Sequence, residues 1–282
     1  MKRTAAGRAY AIQPPMKTLR QRLLLLAICT AFVLPAGCTG VMDMPSDVTG
    51  RVGEIFTDSK AQALAKAAAS GDVTRMARLL EQGVPVDTAG KFGITPAWWA
   101  IRNRNKEGFA WLLEHGASPN PPVEILSIMG MAAAYEDSAF LETALRYKPD
   151  INHYSKTSSP LHMAVSWGRR RNVELLIKAG VDLNPKDYLS PVVAAVGMAR
   201  YDYALLLLQA GADPSKIIEK GPYAGQNELA VSISIDYINP DTDAYEWRER
   251  LIRYLKTKGI EAHPPAKERK RTLPLPDDLR TP

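Results

Sequence analysis

Cysteine is nearly missing from these 282 residues: only Cys29 and Cys38 are present. Two thiols this close to the N-terminus cannot staple a domain, so neither a disulfide framework nor a Cys-based metal site is expected. Histidine is scarce too, with four residues, His115, His153, His162 and His263. None of them forms a His-x-x-x-His or Glu-x-x-His pair, so no zinc-binding helix is expected. GPYAG at 221–225 lacks the Gly-Lys-Ser/Thr end that grips phosphate, and no Gly-x-Ser-x-Gly elbow occurs. These absences predict a protein with no cofactor and no metal that is not an enzyme. Acidic residues are missing from the first 37 positions, which hold Lys2, Arg3, Arg8, Lys17, Arg20 and Arg22. The net charge of +6 therefore belongs to that segment, and the remaining chain is neutral. A nucleic-acid footprint needs a basic stripe on the folded part, so no nucleic-acid partner is expected.

Long hydrophobic runs are also lacking. Residues 23–34 form an apolar run of 12, too short to span a bilayer and suited to the core of an export signal. Lys17, Arg20 and Arg22 supply its positive end, and LPAGC follows at 34–38. This resembles the lipobox of bacterial lipoproteins, with Cys38 as the acylated residue. Pro35 stands where such boxes usually carry Leu, so ordinary cleavage near Ala36 or Gly37 stays open. Met16 fits a start better than Met1. The expected organisation is a signal peptide at 1–37, a lipidated Cys38 with a flexible tether to 58, a folded domain at 59–263, and a disordered Pro- and charge-rich tail at 264–282.

What is present is a repeat. LLEQGVPVD, LLEHGASPN, ALRYKPDIN, LLIKAGVDLN and LLLQAGADPS place Gly83, Gly116, Lys148, Gly180 and Gly211 in one register, with a period near 33. Twelve residues before each come Gly71, Arg104, Glu136, Gly168 and Ala199, and nine before those Gln62, Thr95, Ser127, Ser159 and Ser190. Ser or Thr followed by Pro starts a helix, because the hydroxyl caps orphan N–H groups and Pro lacks the donor that would go unpaired. The glycine after the second helix suits a C-cap at positive φ. One such unit cannot bury its own apolar faces, so neighbours must stack.

Ser159 to Asn184, SPLHMAVSWGRRRNVELLIKAGVDLN, resembles a whole ankyrin repeat, and the resemblance extends over residues 62–263. It implies an all-α solenoid of five to six helix–turn–helix units with hairpin fingers. It also implies a protein partner on a concave face lined by fingers and first helices, with the unbound chain monomeric. In the fingers the contact candidates are Lys91, Phe92, Tyr154, Lys156, Asp187 and Tyr188. At the ends of the first helices they are Arg102, Tyr135, Trp167 and Met198, the last three at one equivalent position. Trp99, Met131 and Met163 are expected in the core. Trp98 replaces the motif's His, which His162 keeps. The run Arg169, Arg170, Arg171 reads as a solvated face or as a clamp for an acidic partner or lipid headgroups. Residues 216–226 lengthen the fifth finger, and 237–244 insert a loop.

The resulting expectation is a binding protein in the periplasm, anchored by lipid, with the outer membrane favoured because Thr39 is not Asp. The architecture resembles ankyrin immunity lipoproteins that neutralise lipase effectors of type VI secretion. A periplasmic scaffold for oxidative-stress defence is the alternative by resemblance. A small-ligand binder or enzyme built on the atypical C-terminal repeat is the alternative of another class.

Overall fold

The computed structural model describes residues 51–265 apart from 124–125, 154–158, 186–189, 217, 220–221, 237 and 240. Cys38, the expected export signal, Tyr154, Lys156, Asp187, Tyr188 and the expected tail from 266 lie outside the described residues. Among the described residues there are thirteen α-helices and no β-strand. A short α1 (Val52–Ile55) leads into six helix pairs. The first helices are α2 (Ser59–Ser70), α4 (Pro96–Arg102), α6 (Ile128–Ala134), α8 (Pro160–Ser166), α10 (Pro191–Gly197) and α12 (Glu228–Ile235). The second helices are α3 (Val73–Glu81), α5 (Lys106–Glu114), α7 (Ala139–Arg146), α9 (Arg170–Lys178), α11 (Tyr201–Gln209) and α13 (Asp243–Thr257).

The first helices stack in one layer, α2 on α4 on α6 on α8 on α10 on α12. In the other layer α3 packs on α5, α5 on α7, and α11 on α13. The apolar core runs continuously between the layers and includes Leu64, Ile101, Leu112, Leu141, Leu161, Leu176, Val196, Leu207 and Leu251. Burial of units against one another supplies the stability that no single unit has. Among the described residues, backbone hydrogen bonds close the first and fifth fingers. Gly90 N–H donates to Ile94 O at 2.8 Å across the first. In the fifth, Ile218 N–H donates to Gln226 O at 2.9 Å.

The capping chemistry follows the motif. The hydroxyls of Thr95, Ser127 and Ser159 accept N–H bonds from Trp98, Gly130 and His162. Ser190 makes no such bond, and Pro191 alone starts that helix. At the ends of the second helices Gly83, Gly116, Gly180 and Gly211 have φ of 80°, 91°, 83° and 107°. Lys148, which stands in for glycine in the third unit, is forced to φ 48°. The register therefore fixes the backbone even where the residue type is unfavourable.

One expectation is corrected at the N-terminal edge. The last residues of the expected tether belong to the fold: Ile55 and Phe56 are buried. Phe56 meets Trp99 edge-on at 6.1 Å. Among the described residues the first stacked unit has no predecessor, and α1 with Phe56 packs at that end.

A chain of polar bonds joins the units below the fingers. The Asp87 carboxylate accepts the Ser118 N–H at 3.0 Å, and Ser118 Oγ accepts the Asn120 N–H at 3.1 Å. Asn120 Oδ1 accepts the Asp150 N–H at 2.7 Å, and Asp150 Oδ1 accepts that of Asn152 at 3.0 Å. Asn152 Oδ1 takes the Asp182 N–H, and Asp182 Oδ1 that of Asn184, both at 2.8 Å. Asn184 Oδ1 then accepts from Asp213 at 2.6 Å, and Asp213 Oδ1 from Ser215 at 2.8 Å. Each Asp or Asn carboxyl or amide oxygen satisfies a loop N–H that no helix could satisfy.

Candidate partner-binding face

The helix caps set a common register for the ends of the first helices. Eight residues after the caps Ser127, Ser159, Ser190 and Asn227 come Tyr135, Trp167, Met198 and Ile235. One position per unit thus carries four large side chains in succession. They do not share one environment. Trp167 is 39% exposed and Ile235 49%, and these are the exposed large hydrophobics of the described chain. Met198 between them is half-buried. The position before each is small: Ala134, Ser166, Gly197 and Ser234. Over units four to six these two positions therefore set large apolar side chains beside small residues, with no charge among them. Scattered apolar side chains are normal on surfaces, but two at one register position on a repeat array form a line.

Tyr135 differs from its expected role. Its hydroxyl donates to Ile101 O at 2.9 Å, and its ring tilts against Phe140 at 5.4 Å. Burial raises its pKa above the ordinary tyrosine value, although Arg104 and Arg102 oppose the shift. Tyr135 ties the third unit to the second, and is only half-exposed. Arg102 is half-buried with its guanidinium 4.8 Å from the Trp99 ring centre. Lys91 is exposed and opens the turn Lys91–Gly93, where Phe92 is half-buried at φ 59°.

Trp167 stands clear because its neighbours are occupied elsewhere. Arg169 Nε donates to Ala134 O at 2.8 Å, and Arg200 Nη2 to Ser166 O at 3.3 Å. Asn172, itself buried, donates to Ala133 O at 2.9 Å and to Tyr135 O at 2.8 Å. These side chains reach back one unit and satisfy orphan carbonyls at a helix C-terminus, where cations are also favoured.

The arginine run is not a free clamp. Arg169 lies 3.9 Å from Glu136, Arg170 3.1 Å from Glu174, and Arg171 3.4 Å from Glu142. The solvated-face reading is the one the geometry supports. Trp98, in place of the motif's His, donates its indole N–H to Leu126 O at 2.7 Å, so the next finger is still tied. Burial pushes His162 down to about 4, which keeps the imidazole neutral at physiological pH. His115 stacks on Trp111 at 3.6 Å, and its Nδ1 lies 2.7 Å from Trp111 O at the end of α5. Trp99 and Met131 are buried as expected, whereas Met163 is half-buried. Among the described residues no group of His, Cys, Asp and Glu is placed to hold a metal ion. No described helix is long and apolar enough to cross a membrane.

Ile235 escaped the sequence reading. The lengthened fifth finger shifts it out of the 33-residue period, and only counting from the cap Asn227 restores its place. The capping residue, not the glycine, is the signal that finds it.

Comparison with known proteins agrees with the repeat. A family described as "Ankyrin repeats (3 copies)" matches residues 129–217. The chain is 32% identical over 106 residues to "Ankyrin repeat, SAM and basic leucine zipper domain-containing protein 1" of Notamacropus eugenii, covering 37% of this chain and 22% of that protein. It is 32% identical over 125 residues to "Putative ankyrin repeat protein" of Rickettsia felis, covering 42% of this chain and 41% of the relative. The chain thus spans less than half the length of either of these relatives.

Proposed function

From an all-α ankyrin-repeat solenoid, whose repeats imply a protein–protein interaction module, we propose a non-enzymatic binding protein whose partner docks over Trp167, Met198 and Ile235. The observation that carries the reading is the exposure of Trp167 and Ile235 at one register position. Ser70 and Asn103 suffice at this position in the first two units, and Trp167 and Ile235 leave much of their apolar surface in water there. They add apolar area for a partner to bury, and aromatic anchors dominate interface energetics.

The finer reading places the module in the periplasm. The charged leader, the short apolar run and Ala-Gly-Cys before position 39 support export and acylation of Cys38. Lipid on Cys38 holds the array at the outer membrane, where it neutralises an incoming lipase effector as an immunity protein.

The test is a photocrosslinking residue placed in cells at Trp167, at Ile235 and at Glu114, an exposed position on a second helix. The expected result is the same protein species from 167 and 235 and none from 114. With that species purified, Trp167→Ala should weaken binding about thirtyfold, or roughly 2 kcal/mol, while the melting temperature holds. Crosslinking from 114 alone, or unchanged affinity in Trp167→Ala and Ile235→Ala, would place the partner on another face. For the immunity role, the Trp167→Ala strain should lose protection against the crosslinked toxin. A captured species with no effect on membrane lipids would reject that role.

A further inference from the structure

The opposite end of the same face is built differently. Arg102, at the end of α4, lies over the indole of Trp99, and Arg104 lies over the ring of Tyr135 at 5.3 Å. Both arginines act on the Tyr135 phenol electrostatically. Arg102 Nε is shielded from solvent and has no hydrogen-bond partner among the described residues. Arg104 is exposed, and its backbone stands at φ 57° in the inter-helix turn. The acidic residues that follow Tyr135 face other cations: Glu136 lies 3.9 Å from Arg169, and Asp137 pairs with Lys106.

A guanidinium laid on an aromatic face is stiffened and partly desolvated before any ligand arrives. Burial accordingly lowers the Arg102 pKa from its ordinary value. Without a carboxylate, such a guanidinium leaves its shielded Nε–H with no acceptor. It is a good receptor for one, because the planar fork matches a carboxylate with two parallel bonds. We infer that Arg102 and Arg104, held by Trp99 and Tyr135, receive an acidic side chain of the docked protein. This rests on reading the face as a docking surface. Helices pack 8–10 Å apart, so the acidic contact sits roughly 20 Å, two units, from the apolar anchor over Trp167. The partner presents carboxylate at one end and apolar side chains at the other, which fixes its direction along the array.

The arginine site is tested without the partner. The ¹⁵N signals of the Arg102 and Arg104 Nε–H groups are followed in the full chain while N-acetyl-triglutamate amide is added. The triglutamine peptide, inorganic phosphate and phosphatidylglycerol vesicles are added in parallel. The expected result is a saturable shift of both signals with triglutamate, at least tenfold weaker with triglutamine and weakened by added salt. Arg102→Gln and Arg104→Gln should each lose it, Arg102→Lys should retain part, and Trp167→Ala should bind the peptide as wild type does. Equal response to triglutamine, or no response, overturns the inference. A shift with phosphate or vesicles and none with triglutamate assigns the site to phosphate or headgroups instead of a protein acid. Loss of the crosslinked partner in Trp167→Ala, with full binding in Arg102→Gln, would sink this inference and leave the docking face standing.

Discussion

Replacing Gly108 by Ala should destabilise the fold, against helix propensity. Gly108 is the third residue of α5, and its N–H donates to Asn105 Oδ1 at 2.7 Å. On propensity alone, Gly→Ala in a helix gains about 1 kcal/mol. Here α5 crosses the C-terminal end of α2 so closely that an added Cβ would overlap the carbonyl oxygen of Ala68, and would lie 2.8 Å from its carbon. Backbone cannot rotate away as a side-chain tip can, so the two helices must separate. Overpacking of this kind costs about 1–3 kcal/mol or more, and a backbone clash belongs at the upper end. Subtracting the propensity gain leaves a net loss of about 2 kcal/mol. For a domain of this size that lowers the melting temperature by about 4–8 °C. Gly53→Ala in α1 is the control, since its Cβ would meet only Gln62 at an ordinary 3.5 Å. Circular-dichroism melts of both variants decide the matter, with amide exchange in α2 and α3 locating the weakness. A Gly108→Ala protein that melts at or above wild type would refute the close approach on which this rests.

Two further outcomes are expected. Lys148→Gly should stabilise by about 1 kcal/mol, because a side chain at φ 48° strains the end of α7; urea midpoints compare the two proteins, and a lower midpoint would contradict the backbone assignment. His162, held near 4 in the fold against 6.5 when exposed, binds more protons unfolded than folded between those values, so stability is complete above pH 6.5 and falls as the pH drops towards 4. The loss at pH 5 should reach about 2 kcal/mol, and His162→Gln should flatten that part of the profile in urea titrations at pH 5–7.

The fold was legible because its period is carried by backbone demands. A positive φ at the end of each second helix and a hydroxyl before the four middle first helices leave marks at fixed spacing, and Lys148 obeys the register without sharing the residue. The edges were not legible, because a terminal unit has no neighbour to copy: Phe56 is buried by a contact with Trp99 that no repeat predicts. The face was half legible. Register located the line through Trp167, but could not tell an anchor from a tie. Tyr135 holds the same position but turns inward, donating its hydroxyl to Ile101 O, which also accepts the Arg104 N–H at 2.9 Å.

The chain of Asp, Asn and Ser oxygens from Asp87 to Ser215 takes its donors from backbone N–H groups alone. Every rung needs the following unit in place, but none needs any residue at the tips of the fingers. Inheritance can therefore act on the two parts separately. The rungs themselves make no demand on the finger tips, whereas a substitution at Asn120, Asn152 or Asn184 breaks a join between neighbours. Gain or loss of sequence is tolerated in whole units, cut from one rung to its counterpart in the next, and a fractional cut leaves a donor stranded. The lineage of such a protein should show rapid change at the tips, slow change at the rungs, and length that jumps by about 33 residues at a time.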